Sequence, residues 1–132
     1  ETRIAAHLTC ADDPLAGVRS FFTSTFEKRA WPDAGCLVTN TAIEGFGLDP
    51  AARDEVRAGL ELIERGFEQA LGRAKLAGQL PTSTAVTALA ARLLTLYQGL
   101  LVLVRSGAPK SKLRAITDDA IQSLVPARVK GR

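Results

Sequence analysis

Apolar residues recur every three or four positions along most of this chain, and strand-like alternation is absent, so the pattern predicts an all-α domain. About five helices can be placed, separated by caps and breakers. Ile4 and Leu8 share a face, which makes the first eight or so residues the last turns of a helix expected to begin upstream. Asp13-Pro14 opens the next helix, a cap followed by proline where a missing N–H costs nothing. Leu15, Val18, Phe22 and Phe26 form its inner stripe, and it is expected to reach about Ala30, where Trp31-Pro32 stops it. A short helix from Gly35 or Cys36 to Gly45 carries Leu37, Asn40, Thr41 and Ile43.

The longest helix repeats the same device, Asp49-Pro50, and runs to Gly78, with Pro81 close behind. Val56, Leu60, Ile63, Phe67, Leu71 and Ala74 are its core stripe, and its other face is charged. From Thr82 or Ser83 to about Ser106 the pattern changes. This helix is apolar nearly all the way round, with Val86, Leu89, Leu93, Leu94, Leu96 and the run from Leu100 to Val104. A helix of that kind has to be covered on every side. Its most apolar stretch, Leu93 to Val104, lies between Arg92 and Arg105 and is shorter than the roughly 20 residues of a membrane span, so a buried helix is expected. After Gly107-Ala108-Pro109 a last helix spans about Ser111 to Val125, with Leu113, Ile116, Ala120, Ile121 and Leu124 inward.

Five helices in 132 residues make a thin bundle, whose edge helices can bury one face but not two. A twofold axis is the simplest remedy, with the last two helices packing on their copies in a four-helix contact. The expected interface is Ala88, Ala91, Leu96, Gly99, Leu103, Leu113, Ile116, Ala120 and Leu124, where small residues let backbones approach. Cover by an upstream domain is the alternative.

Composition adds limits more than chemistry. Apolar residues make up 46% of the chain, enough for one globular domain, assigned to residues 1–126. The absence of methionine and the start at Glu1 lead to the expectation that residues precede this segment. The net charge of +3 equals the three cations Arg128, Lys130 and Arg132 of a tail, residues 127–132, expected to be disordered. Everything before it balances, so no concentrated basic face of the kind that grips DNA is apparent. Cys10, Cys36 and the single histidine, His7, do not supply a four-ligand zinc site, and no metal or other cofactor is expected. Nothing resembles a signal peptide, and a cytoplasmic setting is the default.

Several short motifs in order carry a resemblance. They are the stretch from Gly35 to Glu44, then Asp49-Pro50 and its long amphipathic helix, Ala77-Gly78-Gln79-Leu80-Pro81, Tyr97-Gln98-Gly99-Leu100, and Arg105-Ser106-Gly107-Ala108. Together, over about Asp12 to Val125, they resemble the regulatory domain of TetR-type transcriptional regulators. The resemblance implies a homodimer joined by its last two helices and a ligand cavity among the middle ones. It also implies an N-terminal three-helix DNA-binding head, which is absent from this chain. Ligand would favour one spacing of two such heads, while operator DNA demands recognition helices about 34 Å apart.

On that reading the cavity lies between the helix stripes and is lined by Phe22, Phe26, Asn40, Ile43, Phe67, Leu71, Tyr97 and Gln98, with a small, largely apolar organic effector. For the apolar members, plain core packing accounts for the pattern equally well. Asn40, Tyr97 and Gln98 say more, because inward polar groups need partners, whether a ligand, neighbouring backbone or the second protomer. Cys36 stands at a helix start, where the dipole favours thiolate, which makes it a candidate redox sensor; a small buried residue is the alternative. No catalytic residue is expected: His7 has no evident nucleophile partner, and no glycine-rich phosphate loop is present. A constitutive helical dimerisation module without ligand is the rival function.

Overall fold

Two aspartate–proline pairs start the helices that organise the domain. The computed structural model describes residues 2–27 and 49–125, and among these every regular element is helical. A short α1 (Thr2–Ile4) runs on as a π turn (Ala5–Thr9). Next comes α2 (Pro14–Thr23), capped by the Asp13 carboxylate, which accepts from the Ala16 amide at 3.1 Å. Asp49 does the same for α3 (Pro50–Leu76), accepting from Ala52 at 2.8 Å. The last two helices are α4 (Val86–Arg105) and α5 (Lys110–Gln122). Gly78 and Gly107, just beyond the ends of α3 and α4, have φ of 77° and 81°, the left-handed conformation that closes a helix at least cost to glycine. The all-α fold, the two Asp-Pro starts and the glycines past α3 and α4 agree with the sequence pattern.

Consecutive helices reverse direction. Lys75 near the end of α3 donates to the Thr84 carbonyl just before α4, and one helix width further in Phe67 meets Tyr97. The same reversal sets α2 against α3, with Asp13 and Leu15 beside Gln79 and Phe22 beside Phe67. On the other side α2 is tied to α5 by the Arg19–Asp118 and Glu27–Arg114 ion pairs. The core between these helices contains Val18, Phe21, Phe22, Phe67, Leu71, Leu93, Tyr97, Leu100 and Leu113, each at most 2% exposed.

The N-terminal segment enters through two glycine notches. A Cβ at Gly17 would lie 2.0 Å from the His7 carbonyl oxygen, and one at Gly66 would lie 2.9 Å from a Leu8 methyl. Only glycine permits approaches this close. Arg73 of α3 then takes the carbonyls left over at the end of the π turn, donating to Thr9 O at 2.6 Å and to Ala11 O.

Four expectations change. The α-helix begun at Pro14 ends at Thr23, short of Ala30, because Ser24 and Thr25 bond their hydroxyls back to the Phe21 and Phe22 carbonyls and the chain tightens into a turn. Phe26 still turns inward, at 8% exposure. Thr82 and Ser83 do not start the next helix, since Pro81–Thr84 forms a turn closed by Thr84 N–H to Pro81 O at 3.0 Å, and α4 begins at Val86. Third, α4 is not covered on every side: Ala88, Ala91, Gly99 and Val102 are exposed. Fourth, α4 runs through Arg92 without a break, so its 20 residues, with a mean hydropathy of 1.6 over the most apolar window, are long and apolar enough to cross a membrane by length and composition. Arg92 is accommodated by donating to Ser123 Oγ at 2.7 Å. The expected helix from Gly35 or Cys36 to Gly45 and the basic tail lie outside the described residues.

Candidate functional site

Four aromatic rings from three helices meet in the middle of the bundle. Adjacent phenylalanines on α2, Phe21 and Phe22, point to the same cluster because consecutive helical residues are only about 100° apart. Phe67 arrives from α3 and Tyr97 from α4. Ring centroids are 4.8 Å apart for Phe21–Tyr97, 5.4 Å for Phe22–Tyr97, 5.5 Å for Phe21–Phe67 and 5.9 Å for Phe22–Phe67. Most are edge-to-face or tilted, as ring quadrupoles prefer, and such pairs contribute about 0.5–1.5 kcal/mol beyond burial.

One edge of this cluster is polar, and the N-terminal segment supplies it. The Arg3 guanidinium sits 4.7 Å above the Phe21 ring centroid, a cation–π geometry. Its Nη1 donates to the Tyr97 hydroxyl at 3.2 Å, and its Nη2 donates to the Phe21 carbonyl at 3.0 Å and to Ser24 Oγ at 2.7 Å. One turn on, His7 Nδ1 lies 2.7 Å from Ser20 Oγ, and its ring meets Phe21 edge-on. His7, which the sequence left without a hydroxyl or thiol partner, thus meets a serine here, and the Ser20 hydroxyl also donates to the Gly17 carbonyl at 3.1 Å. The arrangement is an aromatic cluster with a cation and three hydroxyls along one rim.

Of the residues expected to line a cavity, Phe22, Phe67 and Tyr97 come together in this cluster. Leu71 is buried one turn along α3, and Phe26 is buried beyond the end of α2. The rings lie against each other, so in this structure each fills the space beside the next. Gln98 is half-buried, one step around α4 from Tyr97. Asn40, Ile43 and Cys36 lie outside the described residues. Phe21 and Arg3, which make most of the cluster's contacts, were missed; the adjacent Phe21-Phe22 pair and the small Gly17 one turn earlier were the available signals, since together they mark a second buried stripe on α2.

A second candidate surface is the outer side of α4. Ala88, Ala91, Thr95, Gly99 and Val102 recur at spacings of three and four, all exposed, and a Cβ placed on Gly99 would meet nothing within 4 Å. Leu96 and Leu103 at the margins are half-buried, as is Ile116 of α5. The protomer buries only 28% of the most apolar window of α4. Leu113, Ala120 and Leu124, expected at the same interface, turn inward instead and are at most 4% exposed. They close α5 onto the protomer's own core.

Two carboxylates have lowered pKa values. Asp13 is held down by the hydrogen bond from Gln79 Nε2 at 2.8 Å and then by the Ala16 amide it caps. Glu27 is held down by Arg114, which donates to it from both Nε and Nη2, and Arg114 is raised in return. Both pairs stitch the ends of α2 to its neighbours. An open concavity of about 230 Å³ on α3 is lined by Glu61, Glu64, Arg65 and Glu68, all of one helix.

A family model described as "Tetracyclin repressor-like, C-terminal domain" matches residues 14–118. No curated protein and no solved structure matches the chain.

Proposed function

The chain belongs to the tetracycline-repressor-like C-terminal domain family, and on that premise we propose that it is the effector-binding and homodimerisation domain of a TetR-type transcriptional regulator. The observation that carries the dimer is the outer face of α4. Ala88, Ala91, Gly99 and Val102 are exposed there and Leu96 and Leu103 are half-buried, a weakly polar strip of small residues on which a second helix can lie. A second copy covers it without any new partner. The interface we propose is Ala88, Ala91, Thr95, Gly99 and Val102 of α4, flanked by Leu96, Leu103 and Ile116. It follows the α4 side of the expected four-helix contact and leaves Leu113, Ala120 and Leu124 to the protomer core.

The effector site we propose is the aromatic cluster, with Phe22, Phe67 and Tyr97 as wall, Leu71 and Phe26 behind them, and Asn40, Ile43 and Gln98 completing the lining. Its ligand is a small, largely apolar organic molecule. The domain works in the cytoplasm and acts on operator DNA through an N-terminal helix-turn-helix head. Effector binding releases that head by favouring a different spacing, a coupling of about 1–3 kcal/mol.

The contact of the rings with one another favours a second reading, a constitutive dimerisation module whose interior is fully packed. One pair of measurements separates them. Sedimentation equilibrium at micromolar protein is expected to show a dimer, and a monomer at every concentration overturns both readings. A thermal-shift screen of small aromatic compounds is expected to find stabilising ligands whose effect is reduced by Tyr97→Phe; a screen without stabilisers leaves the constitutive module.

A further inference from the structure

The segment Ala5-Ala6-His7-Leu8-Thr9 is a π turn, although nothing in its sequence requires one. It contains no proline or glycine, and alanine is the residue most favourable to the α conformation. π turns are rare, and conformations off the main wells persist only where surrounding contacts impose them. The imposing contacts are identifiable. Upstream, Arg3 is held by Tyr97, the Phe21 carbonyl, Ser24 and the face of the Phe21 ring. In the middle, the His7 carbonyl fills the notch at Gly17 while its ring bonds Ser20. Downstream, Arg73 holds the Thr9 and Ala11 carbonyls, and the Cys10 amide donates to Ala5 O at 2.9 Å, five residues back.

Local preference and tertiary contacts therefore pull this segment in opposite directions, which is the condition for two competing arrangements. We propose that Thr2–Thr9 is a two-register switch, in which the Cys10 amide moves between the Ala5 and Ala6 carbonyls and the Arg3–Tyr97 contact selects the π register. With the downstream end fixed by Arg73, gaining the α register turns everything before Ala5 by about 100° and shifts it by about 1.5 Å, the increment of one residue. Arg3 then leaves Tyr97 and Phe21. Any event that moves Tyr97 is converted into a rotation of the chain that enters this domain. Reading that event as effector binding rests on the proposed function, but the switch itself is testable without ligand, so the two fail separately.

The test is NMR on the 132-residue chain, combining through-hydrogen-bond coupling with amide exchange. Wild type is expected to show coupling from the Cys10 amide to the Ala5 carbonyl, with the Ala5–Thr9 amides exchanging at least tenfold faster than those of Phe67 and Leu71. Tyr97→Phe, which removes the hydroxyl that accepts from Arg3 and keeps the ring, is expected to speed Ala5–Thr9 exchange a further threefold or more and leave Phe67 and Leu71 unchanged. Deleting Ala6 removes the extra residue of the π turn while keeping Arg3 in phase with Tyr97, and is expected to slow Ala5–Thr9 exchange towards that of α3. Coupling from Cys10 to Ala6 in the wild type overturns the proposal. So does Ala5–Thr9 exchange at the α3 rate, or a Tyr97→Phe effect that moves both sets of amides together. If the deletion prevents folding, the Tyr97→Phe arm decides alone.

Discussion

On the inner side of α4, Ala90, Leu93, Tyr97, Leu100 and Leu101 are buried against the rest of the protomer; on the outer side Ala88, Ala91, Thr95, Gly99 and Val102 face solvent. The outer side adds the exposed Arg92 and the Thr95 hydroxyl, yet most positions on both sides are apolar, so polarity alone does not tell them apart. Size does. Apart from Ala90, the inner residues are large and branched or aromatic, and they pack towards α3 and α2. The outer ones are small, which leaves a shallow, smooth face where a second helix can lie close, its backbone near the Gly99 backbone. A hydrophobic face made of small residues fits helix-on-helix contact better than it fits a core, and this distinction separates a surface for association from one for folding.

Changes to the inner face should act on folding. Phe67→Ala removes the ring that touches Phe21, Phe22 and Tyr97 and is expected to cost about 3–5 kcal/mol, seen as a loss of midpoint and not of slope in urea unfolding. Next in size is Gly17→Ala, whose new methyl meets the His7 carbonyl. Displacing the N-terminal segment is expected to cost about 1–3 kcal/mol in the same measurement, and an unchanged midpoint would mean the notch is not closed in solution.

Changes to the outer face should spare folding and act on association. Val102→Asp is expected to raise the dimer dissociation constant at least tenfold in sedimentation equilibrium, about 1.4 kcal/mol or more. The far-UV spectrum of the dissociated chain should be retained, and a dimer of unaltered affinity would place the interface elsewhere.

The smallest effect is electrostatic and concerns neither face. Asp13 and Glu27 have depressed pKa values in the folded chain, so the stability they contribute is present above their unfolded values and is lost as pH falls through the folded ones. The thermal midpoint is therefore expected to decline as pH drops below about 4, and less steeply in an Asp13→Asn, Glu27→Gln double variant. Because Glu27 and Arg114 are solvent-exposed, added salt should weaken the part of this decline that belongs to them.

Much of this architecture can be read along the chain. The two Asp-Pro starts, Gly78 and Gly107 past the helix ends, and the stripe Ile63, Phe67, Leu71 and Ala74 are local signals with local causes, and each appears where the pattern places it. The site was legible in part. Phe22, Phe67 and Tyr97 follow from helical periodicity, whereas Phe21 sits beside an obvious core residue and is enclosed between Phe67 and Tyr97 on one side and Arg3 and His7 on the other. Leu113, Ala120 and Leu124 show the opposite error. Periodicity marks them as one apolar face of α5 without saying whether that face meets its own chain or a second copy.

What the sequence determined by itself is the helical class, most helix boundaries and the excess of apolar surface on α4, because hydrophobic period and caps act within a few residues. Tertiary structure decided which apolar face became core and the π turn at Ala5–Thr9. Those outcomes depend on contacts between residues far apart in the chain, such as Arg3 with Tyr97 and Arg73 with Thr9. No local preference encodes such contacts, and in the π turn they prevail over it.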